Sequence, residues 1–377
     1  MASSRKVSIG RVQIGGGAPV AVQSMTTARA ADVSETMAQI TALAAAGCEI
    51  VRCAVPGLPD AEALPEIVRR SPLPVVADIH FNASLALKAI DAGVAAIRIN
   101  PGNIGGPDKV AEVVAAAKKA GISMRVGANS GSLPEHLRPL AHEDEAEALV
   151  TAALEQVELL ERLDFDQIKI SVKSTSVPDT IRAYRILAAK VPYPLHVGVT
   201  EAGPVATGTI KSAIGIGTLL AEGIGDTIRV SLTADPVKEI EVAWAILKAL
   251  GLREHGPVLI SCPTCGRDQV GAQALAEVVE ERLKSYTEVF EVAVMGCAVN
   301  GPGEAGSADF GIAGGRHAGF IYAHGEVLRK VPTDQLIDEM FAEIDQWIAG
   351  GMVRPRRPRN VKPAGQAMAE AATNEKS

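Results

Sequence analysis

Between Val20 and Leu250 the chain alternates short aliphatic runs with longer stretches in which apolar residues recur every three or four positions. The short runs are continuous rather than alternating, which is how strands covered on both faces read. Eight are present: Val20–Ser24, Ile50–Ala54, Val75–Ile79, Ala96–Asn100, Ser123–Gly127, Gln167–Val172, Leu195–Val199 and Thr227–Leu232. Candidate helices lie between them at Val33–Ala46, Ala83–Ala92, Val110–Ala120, Glu143–Arg162, Pro178–Lys190 and Pro236–Leu250. Gly47, Gly93 and Gly121 follow three of these helices, where a left-handed residue ends the spiral. Eight strand–helix units over roughly 230 residues predict an α/β fold, a (β/α)8 TIM barrel. The rival, an open doubly wound sheet, usually carries G-x-G-x-x-G after its first strand, and none stands there.

After Leu252 the pattern changes. Arg253-Glu254-His255-Gly256-Pro257 reads as a linker. Beyond it come a strand (Val258–Ile260), a C-x2-C pair, a helix (Ala272–Lys284), strands at Phe290–Met295 and Ala318–Ala323, and a helix over Thr333–Ile348. The reading is a barrel domain over 1–252 and a small α/β domain over 258–350. The basic run Arg354-Pro355-Arg356-Arg357-Pro358-Arg359 and the Ala/Glu-rich end make 351–377 a disordered, solvated tail.

Composition narrows the partners. Of 377 residues 47% are apolar but only 3% aromatic, so the expected core is Ala, Val, Ile and Leu. A net charge of −7 argues against nucleic acid, whose binders show a basic face. No apolar run is long enough to span a bilayer, and Met1-Ala2-Ser3-Ser4-Arg5-Lys6 lacks the apolar stretch of a signal peptide. No membrane association and a cytoplasmic location are expected. Five cysteines, an odd number, fit a reducing compartment and metal ligation better than disulfides.

Active sites of such barrels lie at the carboxyl ends of the strands. Those ends carry Arg52, Asp78 with His80, Arg98 with Asn100, Arg125, Lys169 with Ser171 and Lys173, His196, and Arg229 with Ser231. Positions two apart share a face. Guanidinium and ammonium groups gathered in one mouth imply an anionic ligand, and the arginine fork suits phosphate or diphosphate. The plainer alternative is that each cation pairs with a neighbouring carboxylate or caps a helix. Few carboxylates occupy the same strand ends. The turns Asn100–Gly106 and Asn129–Ser132 can present backbone N–H groups to a phosphate. Asp78 and Glu201 could handle protons or orient an arginine, and His80 and His196 could donate to an anion or fill polar gaps.

Three further cysteines carry the redox signal: Cys262-Pro263-Thr264-Cys265, and Cys297 ahead of Ala298-Val299-Asn300-Gly301-Pro302-Gly303-Glu304. Three sulfurs and one weaker ligand suit an iron–sulfur cluster whose fourth iron is left open, with Glu304 brought near by the glycine-rich loop. A structural zinc knuckle is the alternative. It commonly uses two C-x2-C pairs, whereas the second half here offers one cysteine, with His317 and His324 well beyond it. Cys48 and Cys53 read as small packing residues.

The runs Gln23–Thr26, Arg98–Asn103, Gly198–Gly203 and Thr227–Thr233, together with the Cys262–Cys265 pair and Asn300–Glu304, resemble the bacterial 4-hydroxy-3-methylbut-2-enyl diphosphate synthase family of the non-mevalonate isoprenoid pathway. The resemblance spans about Arg11 to Ile348. It implies reduction of 2-C-methyl-D-erythritol 2,4-cyclodiphosphate to the linear diphosphate with loss of water. It also implies a [4Fe-4S] cluster on Cys262, Cys265 and Cys297, with Glu304 as the displaceable fourth ligand. Arg52, Arg98, Arg125, Lys169, Lys211 and Arg229 would hold the cyclic diphosphate, with a polar contact from Asn129. A flavodoxin or ferredoxin donor and a homodimer follow from the same resemblance. The loop Thr27-Ala28-Arg29-Ala30 departs from it, where a more hydroxyl-rich or acidic run is expected. The competing readings are a non-redox phosphate-binding transferase with a zinc module, and an iron–sulfur sensor without catalysis.

Overall fold

The computed structural model of the chain describes residues 3–297, 301–315 and 317–352. The tail expected to be disordered therefore lies, from residue 353 on, outside the described residues, as do Ala298, Val299 and Asn300. The chain divides into two compact units, and the second begins at His255. Arg253, read from sequence as linker, is bound to the first unit. It donates to Glu49 Oε2 at 2.6 Å and lies over the Trp244 ring at 4.7 Å.

The first unit opens with an antiparallel hairpin, β1 (Lys6–Ile9) and β2 (Val12–Gly15), which the hydrophobic pattern did not announce. Its Val7, Ile9 and Ile14 are buried against Ala21, Ile50, Val76 and Ala96, residues at the start of successive barrel strands. The hairpin thus plugs the amino-terminal end of the barrel. Eight parallel strands follow: β3 (Ala21–Met25), β4 (Ile50–Ala54), β5 (Val75–Asp78), β6 (Ala96–Arg98), β7 (Ser123–Asn129), β8 (Ile168–Lys173), β9 (His196–Val197) and β10 (Thr227–Ile228). Their order is β8-β7-β6-β5-β4-β3-β10-β9, and a parallel bridge between Leu195 and Ile170 closes the ring. This is the predicted (β/α)8 barrel.

β9 and β10 are shorter than the sequence pattern indicates, because only their first residues keep a regular ladder. The pairing continues beyond them in single bonds, with Arg229 N–H donating to the Val197 carbonyl at 3.0 Å. Two barrel helices escaped the pattern: Leu58–Arg70, with Pro65 in its interior, and Val205–Ala221, interrupted by Gly208, Gly215 and Gly217. Five others begin at side-chain caps, where Asp32, Asn82, Asp144, Ser176 and Asp235 each accept from a backbone N–H in the first turn, and Pro107–Ala120 starts at Gly106 without one. Cys48 and Cys53 are buried, and burial pushes their thiols up to about 12 and about 11, as packing residues require.

The second unit is a five-stranded sheet in sequential order: β11 (Val258–Ser261), β12 (Glu291–Met295), β13 (Phe310–Ala313), β14 (Ala318–Ala323) and β15 (Glu326–Pro332). β11, β12 and β13 run parallel and the last pairings are antiparallel. Its core differs from the aliphatic barrel. Phe290, Phe310 and Phe341 are fully buried, with Trp347 edge-on to Phe310 at 5.5 Å. A core this small reaches sufficient apolar area with fewer, larger rings.

Gly127 lies in β7 at φ +136°, and a Cβ there would sit 1.8 Å from the Ser171 carbonyl oxygen of β8. Gly127→Ala is expected to lose about 3 kcal/mol or more of barrel stability, through strain and forced strand separation. Chemical denaturation followed in the barrel transition checks this, and an unchanged midpoint contradicts it.

Candidate active site

Strand register builds the mouth. Asp78, Arg98, Arg125 and Lys169 are direct register partners across β5, β6, β7 and β8, so one transverse row carries an acid and three cations. Lys169, Ser171 and Lys173 share the inner face of β8, and all three are buried. A Cβ on Gly198 would meet the Arg229 carbonyl at 2.4 Å and Lys173 Nζ at 2.7 Å, so glycine there is what lets the lysine in.

Asp78 is the hub. Arg98 Nη1 donates to its Oδ1 at 3.0 Å, Arg52 Nε lies 3.4 Å from Oδ2, and His80 Nε2 lies 3.4 Å from Oδ1. Burial alone would raise this carboxyl. Arg52, the His80 hydrogen bond, Arg98 and Arg125 together outweigh it and hold Asp78 well below the usual carboxylate range. Of the two roles expected for Asp78, its geometry fits the holding of arginines rather than proton transfer.

The cations crowd one another. Burial, with Arg229 and Arg98 nearby, brings Arg52 down to about 10. Burial first, then mutual repulsion, pushes Arg125, Lys169 and Lys173 well below their ordinary values. Single soft or neutral acceptors serve two of them: Met25 Sδ takes Arg52 Nη2 at 3.0 Å, and Gln23 Oε1 takes Lys169 Nζ at 3.1 Å. His196 is fully buried, with Nδ1 2.8 Å from Thr227 Oγ1 and no partner on Nε2. Burial and the charges of Lys173 and Arg125 hold it far below 6.5, so it is a neutral imidazole. Arg229 Nη2 lies 3.5 Å from Glu239 Oε1, while its buried Nε has no partner. Against six cations the mouth sets Asp78 and Glu239. Asp226, at the start of β10, also acts on Lys169, but burial raises its own carboxyl.

Other expected residues lie at the rim. His80 is exposed and Asn100 half-buried, and Asn100 Oδ1 accepts from Gly102 N–H at 3.1 Å, so that donor of the turn is already taken. Asn129 ends β7 and Ser231 lies three residues beyond β10, both half-buried. Glu201 is exposed and held at φ 51°, a left-handed conformation uncommon for a side chain of its size. Lys211 stands exposed on the helix Val205–Ala221, outside the buried set. The departing loop is tied to helices, with Arg29 Nη2 2.9 Å from Asp60 Oδ2 and Gln39 accepting from Thr27 N–H. Sequence reasoning missed Gln23 and Met25 as partners, left Lys173 without a role, and did not find Glu239. Glu239 sits in the first turn of a helix, where an acid is expected for the dipole alone.

In the second unit, Cys262 follows β11 and Cys297 lies just past β12, at the carboxyl ends of adjacent parallel strands. Gly296 N–H donates to Cys262 Sγ at 3.3 Å, and Gln269 N–H donates to the Gly296 carbonyl at 2.9 Å. That bond draws the Cys265 loop over the same strand end. A backbone hydrogen bond from Arg267, then its side chain and charge, lower the exposed Cys265 thiol, while Cys297 opposes the shift. The two thiols therefore lie within electrostatic reach of each other. None of the five cysteines is in a disulfide. Among the described residues no group of three or more His, Cys, Asp or Glu closes around a single metal ion. Glu304 is exposed on a short helix, Gly301–Ser307, rather than in the loop expected from its glycines. His324 packs edge-on against Phe310 at 5.0 Å, in the aromatic core.

Fold and mouth together define a two-unit barrel protein whose first unit gathers buried cations at the barrel mouth and whose second carries Cys262 and Cys297 at the ends of adjacent strands. Residues 4–244 match the family described as GcpE TIM-barrel domain, and 258–346 match GcpE protein C-terminal domain. The 4-hydroxy-3-methylbut-2-en-1-yl diphosphate synthase (flavodoxin) of Geobacter sulfurreducens is 54% identical over 348 residues, 92% of this chain and 99% of its own. The protein of the same name from Maridesulfovibrio salexigens is 55% identical over 346 residues, 92% and 97% of the two chains. A dihydropteroate synthase from Coxiella burnetii superposes at a TM-score of 0.46 with 10% identity, over 64% of this chain and 98% of that one. The chain belongs to the GcpE family.

Asp78→Asn should destabilise the barrel by about 3 kcal/mol at neutral pH, since it strips a buried countercharge from Arg52 and Arg98. The folded carboxyl is depressed, so its contribution is complete above the unfolded value of about 4 and fades as pH falls through the folded value. Unfolding measured from pH 7 downward should show the gap between wild type and variant narrowing in acid. A gap that is constant or widens there contradicts the assignment.

Proposed function

We propose that this chain reduces 2-C-methyl-D-erythritol 2,4-cyclodiphosphate to 4-hydroxy-3-methylbut-2-enyl diphosphate and water. Two electrons and two protons balance the step when the acids are counted neutral. The chain is an oxidoreductase of isoprenoid biosynthesis, and its relatives' names include flavodoxin. Flavodoxin, or a ferredoxin, is the electron donor in this reading. The observation that carries it is the surplus of buried cations in the barrel mouth, which a cyclic diphosphate dianion offsets.

Arg52, Arg98, Arg125, Lys169, Lys173 and Arg229 bind and orient the diphosphate beside buried Ser171, with Ser231, Asn100, Asn129 and His80 completing the rim. Neutral His196 offers Nε2 without adding charge. Opening the ring leaves a phosphate oxygen with growing negative charge, and cations fixed in a dry mouth meet that charge without reorganising. In this reading Glu201, exposed on its loop, delivers a proton to the departing hydroxyl. Lys211 steers the anion from the rim.

Cys262, Cys265 and Cys297 fit a [4Fe-4S] cluster. None of them is in a disulfide, Cys262 and Cys297 stand at the ends of two adjacent strands, Arg267 lowers the Cys265 thiol, and no second C-x2-C pair is present in the sequence for zinc. Glu304 would supply the fourth, harder ligand. Such a cluster, when bound, supplies single electrons and a Lewis-acidic iron. Two further features belong to this reading. Val205, Ile210 and Ile214 are exposed on a 17-residue helix whose one charged side chain is Lys211, which supports a homodimer. Cysteines outside any disulfide support a cytoplasmic location, and no helix among the described residues is long and apolar enough to cross a membrane.

Anaerobic purification should give a brown protein with about four irons per chain, and dithionite-driven turnover of the cyclodiphosphate. Glu304→Ala should keep part of its iron but lose activity by at least about tenfold. A colourless, zinc-loaded protein would falsify the reading, and unchanged activity in the variant would remove Glu304 as ligand.

A further inference from the structure

The second carboxylate of the mouth has a different construction from the first. Glu239 belongs to the helix Pro236–Ala249, yet its side chain is only 5% exposed and reaches back to the barrel. Its Oε2 accepts from Ser24 Oγ of β3 at 2.9 Å, and its Oε1 accepts from Leu232 N–H at 3.0 Å. Oε1 also lies 3.5 Å from Arg229 Nη2. A strand and the chain beyond the neighbouring strand are thus pinned to one carboxylate, and each of its partners is a donor. Arg229 is held by one nitrogen, while its buried Nε is left unpaired.

We infer that Glu239 is a positioning residue: it fixes the Arg229 guanidinium so that the unpaired Nε faces the anion site. This inference rests on the anion reading of the mouth given above. Two effects of the carboxylate oppose each other. Its charge repels a bound dianion, so if charge alone mattered, removing it would tighten binding. Its ion pair with Arg229 orders a long side chain that otherwise samples many rotamers, so if orientation matters, removing it weakens binding. The sign of the change therefore separates a positioning residue from a mere countercharge.

Titration calorimetry with the cyclodiphosphate, on the anaerobically purified full chain, decides it. Wild type, Glu239→Gln, Arg229→Ala and the double variant form a cycle. The Gln variant should bind about tenfold more weakly, and the same change in the Arg229→Ala background should cost less than about twofold. Glu239→Asp, too short to span the same partners, replaces the Gln variant if that fails to fold, with the same expectation. Equal losses in both backgrounds overturn the inference, as does unchanged or tighter binding. A wild type that does not bind the cyclodiphosphate at all would instead show the functional reading to be at fault, and the inference would fall with it.

Discussion

Positive charge buried without enough negative charge beside it is the constraint on which this molecule turns. Arg52, Arg98, Arg125, Lys169 and Lys173 are each less than a tenth exposed, and Arg229 joins them at the mouth. Taking such groups out of water is costly unless something pairs with them. Asp78 settles part of the cost by serving Arg52 and Arg98 at once, and Glu239 serves Arg229. Burial depresses the remaining cations, which loosens their hold on their protons. In the reading proposed above, a dianion arriving from solution would reverse that loosening, so that binding and charging of the mouth would reinforce each other.

The barrel makes this arrangement affordable. Parallel register sets three cations in one row, where helices would have splayed them apart. Gly127 and Gly198 remove the side chains that would otherwise separate β7 from β8 or fill the space of Lys173. Ring closure by the Leu195–Ile170 bridge and the hairpin plug at the far end keep the row rigid. Preorganisation of this kind is what gives electrostatic stabilisation its strength, because the fixed charges do not have to move when the substrate ionises.

Much of this was legible in the chain. Continuous aliphatic runs such as Ile50–Ala54 gave a strand with the observed limits, and Gly121 ended its helix in the left-handed conformation as expected. Charges on one face of a strand end, as in Lys169 and Lys173 four positions apart, announced a mouth. What stayed hidden depends on contacts between distant segments. Nothing local marks Glu239 as the partner of Ser24, 215 residues away, or Met25 as the acceptor for Arg52. The helix Val205–Ala221 was obscured because its glycines argue against helix, and burial against neighbouring elements overrides that weak local preference. The thiols were legible by spacing alone. That Cys262 and Cys297 stand at neighbouring strand ends depends on β11 and β12 being adjacent and parallel, which spacing cannot show.

The mouth's demand for negative charge is measured most directly by thermal unfolding of the barrel with increasing cyclodiphosphate, beside the uncharged 2-C-methyl-D-erythritol. At a hundred times its dissociation constant the dianion should stabilise by about 2.7 kcal/mol, and added salt should erode the effect. The uncharged polyol should do nothing at the same concentration. If the polyol stabilises equally, or if neither compound moves the transition, the buried cations are not there to hold an anion.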